Sequence, residues 1–211
     1  MKKNHSYNII FYYLLSILIP IIVVFIGFLA GSYAPFGTKN VLSAGGYSEY
    51  LPYFYELYDR VHEGKSLVFS NTFGNGYDFT ALYTFYLSDP TNLIILLFNR
   101  DSIISVLNFL YLFKVGFAGF SMFFYLNYIY SQTANKTIID LKEESKKNNF
   151  VIGGDFIPKS GLISLFLSIK WLMMVFSVAF AISAPIITKG FNIVFLGPIA
   201  MFPLVIYGVD R

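Results

Sequence analysis

The sequence predicts an all-α, polytopic integral membrane protein with about four transmembrane helices and additional amphipathic or juxtamembrane helices on its outer face. Hydrophobic residues make up 56% of the 211 positions and charged residues only 13%. Soluble domains carry about 25% charged residues, so the deficit indicates lipid as the surrounding solvent. The apolar residues also cluster in runs long enough to cross a hydrocarbon core of roughly 30 Å as helices.

The predicted membrane domain covers 1–211, with spans at about 9–30, 102–130, 162–187 and 191–209. A signal peptide is the alternative for the first run, because Lys2 and Lys3 precede it. Its apolar core would then be about 7–15 residues long and followed by a small-residue cleavage site. This run is longer and no such site follows Gly31, which favours a retained anchor.

The charges beside the spans predict the orientation of the chain. Lys2 and Lys3 place the N-terminus in the cytoplasm, because positive residues favour that side. The outer loop, 31–101, then faces outward and carries seven acids and four bases, a net charge of −3. The connector 131–160 has a net charge of +1 and is predicted as a solvated cytoplasmic loop.

Composition also excludes several classes of site. The chain has no cysteine, which removes disulfides and thiolate chemistry. Its net charge of +3 is too small and scattered for a nucleic-acid surface, so no nucleic-acid partner is expected. The two histidines, His5 and His62, lie too far apart in sequence to suggest a histidine metal cluster.

The outer loop is predicted to contain an amphipathic helix at 49–63 that ends near Gly64. The stretch 73–79 is typical of a tight loop, because its two glycines tolerate positive φ. A break at 88–90 precedes the apolar stretch 92–98, which is too short to cross a bilayer. That stretch is either a dipping half-helix or the first turns of a helix packed under the outer leaflet.

Three acids of the outer loop are candidate catalytic residues. Glu49 and Asp78 flank glycine-containing turns, and Asp89 sits at the break before Pro90. Each could act as a general base or ligate a divalent cation as a cofactor, because hard cations prefer carboxylate oxygens. The alternative for each acid is a helix cap or a solvated surface charge.

Lys114 lies near the middle of the predicted span 102–130. A charge at that depth costs about 2.5–3.5 kcal/mol, which implies a carboxylate, a carbonyl cluster or an anionic ligand as its partner. Lys170 lies closer to the end of its span and can snorkel to the interface. Gly116 and Gly119 predict close helix packing around Lys114.

The sequence resembles the bacterial YfhO family, a group of GT-C-like polytopic membrane proteins. The resemblance is carried in order by SEYLPYF, SNTFGNGYDF, YTFYLSDPTNLI, LYLFKVGFAGFSMFFYL, FSVAFAISAPI and FNIVFLGPIAMFPLVIYGVDR. The similarity runs through nearly the whole chain in this order. Family members are several times longer, so the resemblance, together with a chain that stops directly after a span, predicts an N-terminal portion.

The resemblance implies a GT-C-like N-terminal module of a glycosyltransferase in the cell membrane. Its donor would be a polyprenyl-phosphate-linked sugar and its acceptor a cell-envelope glycopolymer such as teichoic acid. In such folds an acid of the first outer loop activates the acceptor or helps to bind a metal. The family usually has an aspartate about four positions before the residue matching Glu49, and Gly45 stands there.

The resemblance also implies substrate-binding residues. Lys114 matches a family lysine and is interpreted as the partner of a lipid phosphate, and Tyr47 and Tyr50 lie in the motif around Glu49. The alternative function is a non-catalytic, truncated or degenerate membrane scaffold, or a component of an envelope lipid or polymer export assembly.

Overall fold

The computed structural model of the chain is almost entirely helical and confirms the predicted all-α membrane fold. It describes residues 3–34, 36–42, 46–72, 75–147, 159–183 and 193–211. The α-helices of this described part are α1 (Lys3–Gly31), α2 (Leu51–His62), α3 (Phe79–Leu82), α4 (Ile103–Lys147), α5 (Lys159–Ala181) and α6 (Ile193–Asp210).

Shorter elements fill the segment between α1 and α4. Single π-helical turns cover Gly46–Tyr50 and Tyr83–Leu87, and 3₁₀-helices cover Pro90–Leu97 and Arg100–Ser102. The strands β1 (Phe69–Ser70) and β2 (Tyr77–Asp78) pair antiparallel, with Phe69 opposite Asp78. Of the tight loop predicted at 73–79, residues 77 and 78 form β2 and Phe79 begins α3, whereas residues 73 and 74 lie outside the described part.

Within the described residues, three helices are long and apolar enough to cross a membrane: Ile9–Gly31, Arg100–Thr137 and Ile193–Asp210. The described apolar part of α5, Ile169–Ala181, is shorter. The end of the predicted span 162–187 lies outside the described residues. Many large apolar side chains of these helices are exposed, as expected for surfaces that face lipid.

The long helix α4 is the centre of the bundle and packs against α1, α5 and α6. α1 runs antiparallel to it, since Tyr13 contacts Phe123 near one end and Phe28 stacks on Tyr111 near the other. α6 runs parallel to α4, because Lys114 bonds to Ile193 and Ser121 bonds to Ala200 farther along both helices.

The closest approach between α1 and α4 occurs at two glycines. A Cβ atom on Gly119 would lie 2.1 Å from the carbonyl oxygen of Ser16, and one on Gly116 would lie 2.6 Å from Ile21. Pro20, four residues after Ser16, has no N–H to donate to that carbonyl. Gly119 therefore makes room for the Ser16 carbonyl, which Pro20 leaves without its usual helical donor. The close helix packing predicted from Gly116 and Gly119 is packing against α1.

The first half of the predicted cytoplasmic loop 131–160 is helical. α4 continues without interruption to Lys147, well beyond the predicted end of its span at 130. The reason is local, because 131–147 contains no glycine or proline and is rich in residues with high helix propensity. The polar residues indicate where α4 leaves the membrane, but they do not end the helix. Residues 148–158 lie outside the described part.

The amphipathic helix predicted at 49–63 is present as α2, which begins two residues later, after the π-helical turn. Its buried apolar face consists of Leu51, Phe54 and Leu57. The helix ends before Gly64, which has φ of 65°. This backbone conformation favours glycine and confirms the predicted stop.

Two charged residues of α2 are buried, which the sequence pattern did not predict. Glu56 Oε1 accepts hydrogen bonds from Arg60 Nε at 2.6 Å, Ser70 Oγ at 2.6 Å and Thr72 Oγ1 at 2.9 Å. Arg60 donates in turn to the Phe69 carbonyl at 2.9 Å. This ion pair joins α2 to the hairpin, and its only sequence signal is the four-residue spacing of opposite charges.

The Glu56 ion pair predicts a pH-dependent attachment of the hairpin. Burial alone would raise the pKa of Glu56, but hydrogen bonds from Ser70, Thr72 and Arg60 and the charge of Arg60 lower it below its ordinary value. A lowered folded-state pKa stabilises the fold at pH values above the ordinary glutamate pKa, and this stabilisation is lost as pH falls below that value and through the lower pKa of the folded state. We expect hydrogen exchange of β1 and β2 to accelerate as pH falls from 7 to 3, after correction for intrinsic exchange.

Glu56→Gln should abolish most of this pH dependence, because the amide does not titrate. Glu63→Gln is the matched control, since Glu63 pairs with Lys65 in solvent. Equal pH profiles in the unmodified protein and in Glu56→Gln would contradict the assignment.

One further contact lies within the outer loop, next to the start of α4, and another attaches the loop to α4. Arg100 donates to both carboxylate oxygens of Asp59 at 2.7 and 3.0 Å. Asn108 accepts from the backbone N–H of Val41 at 3.2 Å and donates to the Ala34 carbonyl at 3.4 Å. The segment between α1 and α4 is therefore packed on the end of the bundle.

Candidate functional site

A buried charge pair lies between the bundle and the outer loop. The Lys114 Nζ atom is 2.8 Å from Asp89 Oδ2 and donates to Asn92 Oδ1 at 3.1 Å and to the Ile193 carbonyl at 3.0 Å. Lys114 is only 1% exposed. Two hydrogen bonds and one salt bridge therefore hold the ammonium group in place.

The local sequence explains the position of Asp89. Its Oδ1 atom caps the 3₁₀-helix Pro90–Leu97 by accepting from the Thr91 N–H at 2.9 Å and the Thr91 hydroxyl at 2.7 Å. Asp89 has extended backbone angles and Pro90 occupies the first helical turn, as the Asp-Pro pair predicts. Because Oδ1 serves the cap, Oδ2 remains to face Lys114.

Gly197 of α6 makes room for this carboxylate. A Cβ atom at Gly197 would lie 1.8 Å from Asp89 Oδ2, so any larger residue would displace Asp89. Asp89, Asn92, Lys114 and Gly197, which we call the charge node, therefore join the outer loop to α4 and α6. The sequence analysis did not predict Asn92 as part of this site, nor the role of Gly197. The available sequence signal for Gly197 is a glycine beside a proline in an apolar helix.

The charge node is electrically balanced. The Asp89 carboxylate lies opposite the ammonium group of Lys114, and Thr91 donates two hydrogen bonds to its other oxygen. The partner that the sequence requires for Lys114 is this carboxylate, with one amide and one carbonyl oxygen beside it.

Asp78 lies elsewhere and acts as a helix cap. Its carboxylate accepts from the Thr80 N–H at 2.8 Å and the Ala81 N–H at 3.2 Å, at the start of α3. The side chain is exposed. In the structure Asp78 therefore has the role of a helix cap, which is the alternative given above to a catalytic role.

Glu49 lies in the π-helical turn before α2 and its side chain is exposed. Within the described part of the chain it has no hydrogen bond or ion pair. Burial, together with Tyr86 and Glu49, raises the pKa of Tyr53, which places the Glu49 carboxylate within electrostatic reach of that ring. Glu49 therefore differs from Asp78 and Asp89, because its carboxylate serves no cap or ion pair here.

Aromatic contacts connect the turn that contains Glu49 with α6. Tyr47 is 53% exposed, whereas Tyr50 is half-buried. The Tyr50 and Tyr53 rings lie 5.5 and 5.2 Å from Tyr86. Phe85 contacts Tyr86 at 4.7 Å and Phe195 of α6 at 6.4 Å between ring centroids.

A divalent cation finds no preformed cluster of ligands in this part of the chain. Among the described residues, no three histidine, cysteine, aspartate or glutamate side chains converge. The three candidate acids therefore do not form a common carboxylate site. Gly45, which stands where the family usually has an aspartate, lies outside the described residues.

Long apolar helices around α4, with a lysine and an aspartate paired inside, define a polytopic α-helical membrane protein. The profile of the family described as bacterial membrane protein YfhO matches residues 16–139, which is more than half of the chain. The chain belongs to this family. Comparisons with curated proteins and with solved structures found no match.

Proposed function

We propose that this chain is the N-terminal part of a membrane glycosyltransferase. It would transfer a sugar from a polyprenyl-phosphate donor to a cell-envelope glycopolymer such as teichoic acid, on the outer face of the membrane. The observation that carries the proposal is Glu49, an exposed carboxylate without a structural partner in the described residues, set among tyrosines at the loop end of the bundle. Membership of the YfhO family supports it.

The proposed reaction is a direct displacement at the anomeric carbon of the lipid-linked sugar. The acceptor hydroxyl oxygen forms the new glycosidic bond while the bond between the anomeric carbon and the phosphate oxygen breaks. Glu49 takes the hydroxyl proton, and the phosphate leaves with the bonding electron pair. Tyr47 and Tyr50 offer rings and hydroxyl groups that bind the substrate beside this base.

The charge on the departing phosphate requires a cation, supplied by Lys114 or by a metal ion. In the arrangement described, the ammonium group of Lys114 is occupied by Asp89 and two neutral acceptors. Lys114 can reach a phosphate once Asp89 releases it. Asp89 is in that case the counter-ion that the substrate replaces.

The proposed topology has the N-terminus in the cytoplasm, which places the outer loop on the same side as an outer-leaflet lipid carrier. The positive residues Lys2 and Lys3 and the net negative charge of 31–101 support this orientation.

Glu49→Gln in the full-length protein should reduce sugar transfer by about 10²–10⁴-fold, the usual contribution of a general base. The substitution leaves the fold intact, because Glu49 has no bond to lose among the described residues. Transfer of a labelled sugar to envelope polymer is the measurement, with Glu63→Gln as the control at a second exposed glutamate. Unchanged transfer in Glu49→Gln would reject Glu49 as the base.

The second candidate is a non-catalytic scaffold or a component of an envelope export assembly. Two observations favour it: Gly45 replaces the aspartate usual in the family, and Asp78 and Asp89 serve a cap and an ion pair. A scaffold predicts that Glu49→Gln is silent while disruption of the fold abolishes function.

A further inference from the structure

The position of the bilayer along the bundle can be read from α1. Its apolar stretch Ile9–Gly31 has 23 residues, about 34 Å of helix, which matches a hydrocarbon core of roughly 30 Å. The apolar helix Arg100–Thr137 has 38 residues and is too long to fix a boundary by itself. The bilayer boundaries on α4 must therefore be transferred from α1.

Contacts between α1 and α4 make this transfer possible. The Ser16 carbonyl faces Gly119, and the Phe28 ring stacks on Tyr111 at 5.9 Å. Because the helices are antiparallel, the end of α1 at Gly31 is level with about Asn108. Asn108 bonds to two backbone groups of the outer loop, as suits a polar residue at the edge of the hydrocarbon.

The charge node lies well below this edge. Lys114 follows Asn108 by six positions, a depth of about 9 Å at the helical rise. The Asp89 carboxylate also touches Gly197, three residues before Ala200, and the Ala200 carbonyl bonds to Ser121 of α4. Contacts with both α4 and α6 thus place Asp89 below the hydrocarbon edge, in the half of the bilayer on the loop side.

The chain must therefore enter the membrane before Asp89 and leave it afterwards. The 3₁₀-helix Pro90–Leu97 is about 16 Å long at roughly 2.0 Å per residue. The eleven positions of α4 from Ile103 to Lys114 span about the same distance. The 3₁₀-helix packs on α4 and therefore runs from the level of Lys114 back to the level at which α4 begins.

Within the 3₁₀-helix Pro90–Leu97 the exposed side chains are apolar and the amide of Asn92 is buried, as lipid contact requires. Asn92 and Ile95 are fully buried against the protein. Leu93 and Leu97 are exposed, Leu97 by 82%, and Phe85 on the entering arm is exposed by 63%. Non-helical backbone and polar side chains are tolerated at membrane depth only where protein covers them, as at Asp89 and Asn92.

We propose that 83–97 is a re-entrant segment inserted in the leaflet on the loop side, with Phe85 and Leu93 in contact with lipid acyl chains. The charge node is its lowest point, inside the hydrocarbon. This inference does not depend on glycosyl transfer, because it rests on helix lengths and contacts alone.

The absence of cysteine makes the chain a ready background for cysteine scanning. Phe85→Cys, Leu93→Cys and Leu97→Cys would be introduced singly in the full-length protein, with any cysteine outside residues 1–211 replaced by serine. Each variant would be reconstituted in phosphatidylcholine–phosphatidylglycerol vesicles with the loop side accessible. Ile26→Cys on the lipid face of α1 and Glu63→Cys on α2 are the controls. Each would be tested with a membrane-impermeant maleimide, and then spin-labelled for collision with oxygen and with a water-soluble nickel chelate.

We expect Phe85→Cys and Leu93→Cys to behave like Ile26→Cys, at least tenfold slower toward the maleimide than Glu63→Cys and with oxygen collisions dominant. Leu97→Cys should fall between the two controls. Maleimide reaction at positions 85 and 93 as fast as in Glu63→Cys would place the segment in water and overturn the proposal. Low collision with both oxygen and nickel would show a protein partner on this face and overturn it equally.

Discussion

Lys114→Met should destabilise the protein by about 3–5 kcal/mol, the loss typical when one member of a buried ion pair is removed. Methionine matches the length of lysine but leaves the Asp89 carboxylate buried without a counter-charge. It also removes the donor to Asn92 and to the Ile193 carbonyl, which ties α6 to α4. Reversible unfolding in mixed detergent micelles would measure the change in the free energy of unfolding.

The double variant Lys114→Met/Asp89→Asn separates charge from packing. It should regain more than half of the lost stability, because the asparagine oxygen can still cap the 3₁₀-helix through Thr91. A double variant no more stable than Lys114→Met would show that the charge of Asp89 is not the cause.

An independent disturbance of the same contact is Gly197→Ala, with Gly208→Ala as the control, because a Cβ atom at Gly208 meets nothing within 4 Å.

Gly119→Val should separate α1 from α4. The added Cβ atom would lie 2.1 Å from the Ser16 carbonyl oxygen, and a backbone atom cannot move aside by changing rotamer. Overpacking of this kind costs about 1–3 kcal/mol or more, and in a bilayer no hydrophobic force between helices compensates for it. Unfolding in micelles would give the loss, and cross-linking between cysteines introduced at Phe28 and Tyr111 would report the helix contact.

Gly27→Val is the matched control for this change. Gly27 is also a glycine in a spanning helix, but a Cβ atom there meets nothing within 4 Å. Its substitution should leave both stability and cross-linking close to those of the unmodified protein. If both valine variants behaved alike, helix propensity and not the α1–α4 contact would explain the effect.

The charge node changes what the buried lysine means for function. A lysine in a spanning helix can be read as a site for an anionic substrate, and the resemblance to the YfhO family supports that interpretation. The structure gives Lys114 an internal counter-ion and two further acceptors. Substrate binding at Lys114 then requires an exchange of anions, whereas Glu49 is available without rearrangement of any contact among the described residues.

The polar stretch 131–147 shows that composition predicts the end of a membrane span better than the end of a helix. Its charges predict that the span has ended, yet α4 extends to Lys147. Hydropathy measures where a helix leaves the lipid, whereas propensity and the absence of breakers decide where it ends. In contrast, the Asp-Pro break at Asp89 and the stop at Gly64 were predictable because each depends only on its own backbone geometry.

The membrane environment, the apolar helices, the local breaks and the need of Lys114 for a partner can all be predicted from the amino-acid sequence. These properties depend on residue type, on the length of apolar runs and on backbone preferences, all of which are local. The contacts of the folded chain were needed to show that Asp89 is this partner, that Glu56 and Arg60 are buried, and that Gly119 receives the Ser16 carbonyl. Such pairs are set by which helix faces meet, and spacing along one chain does not contain that information.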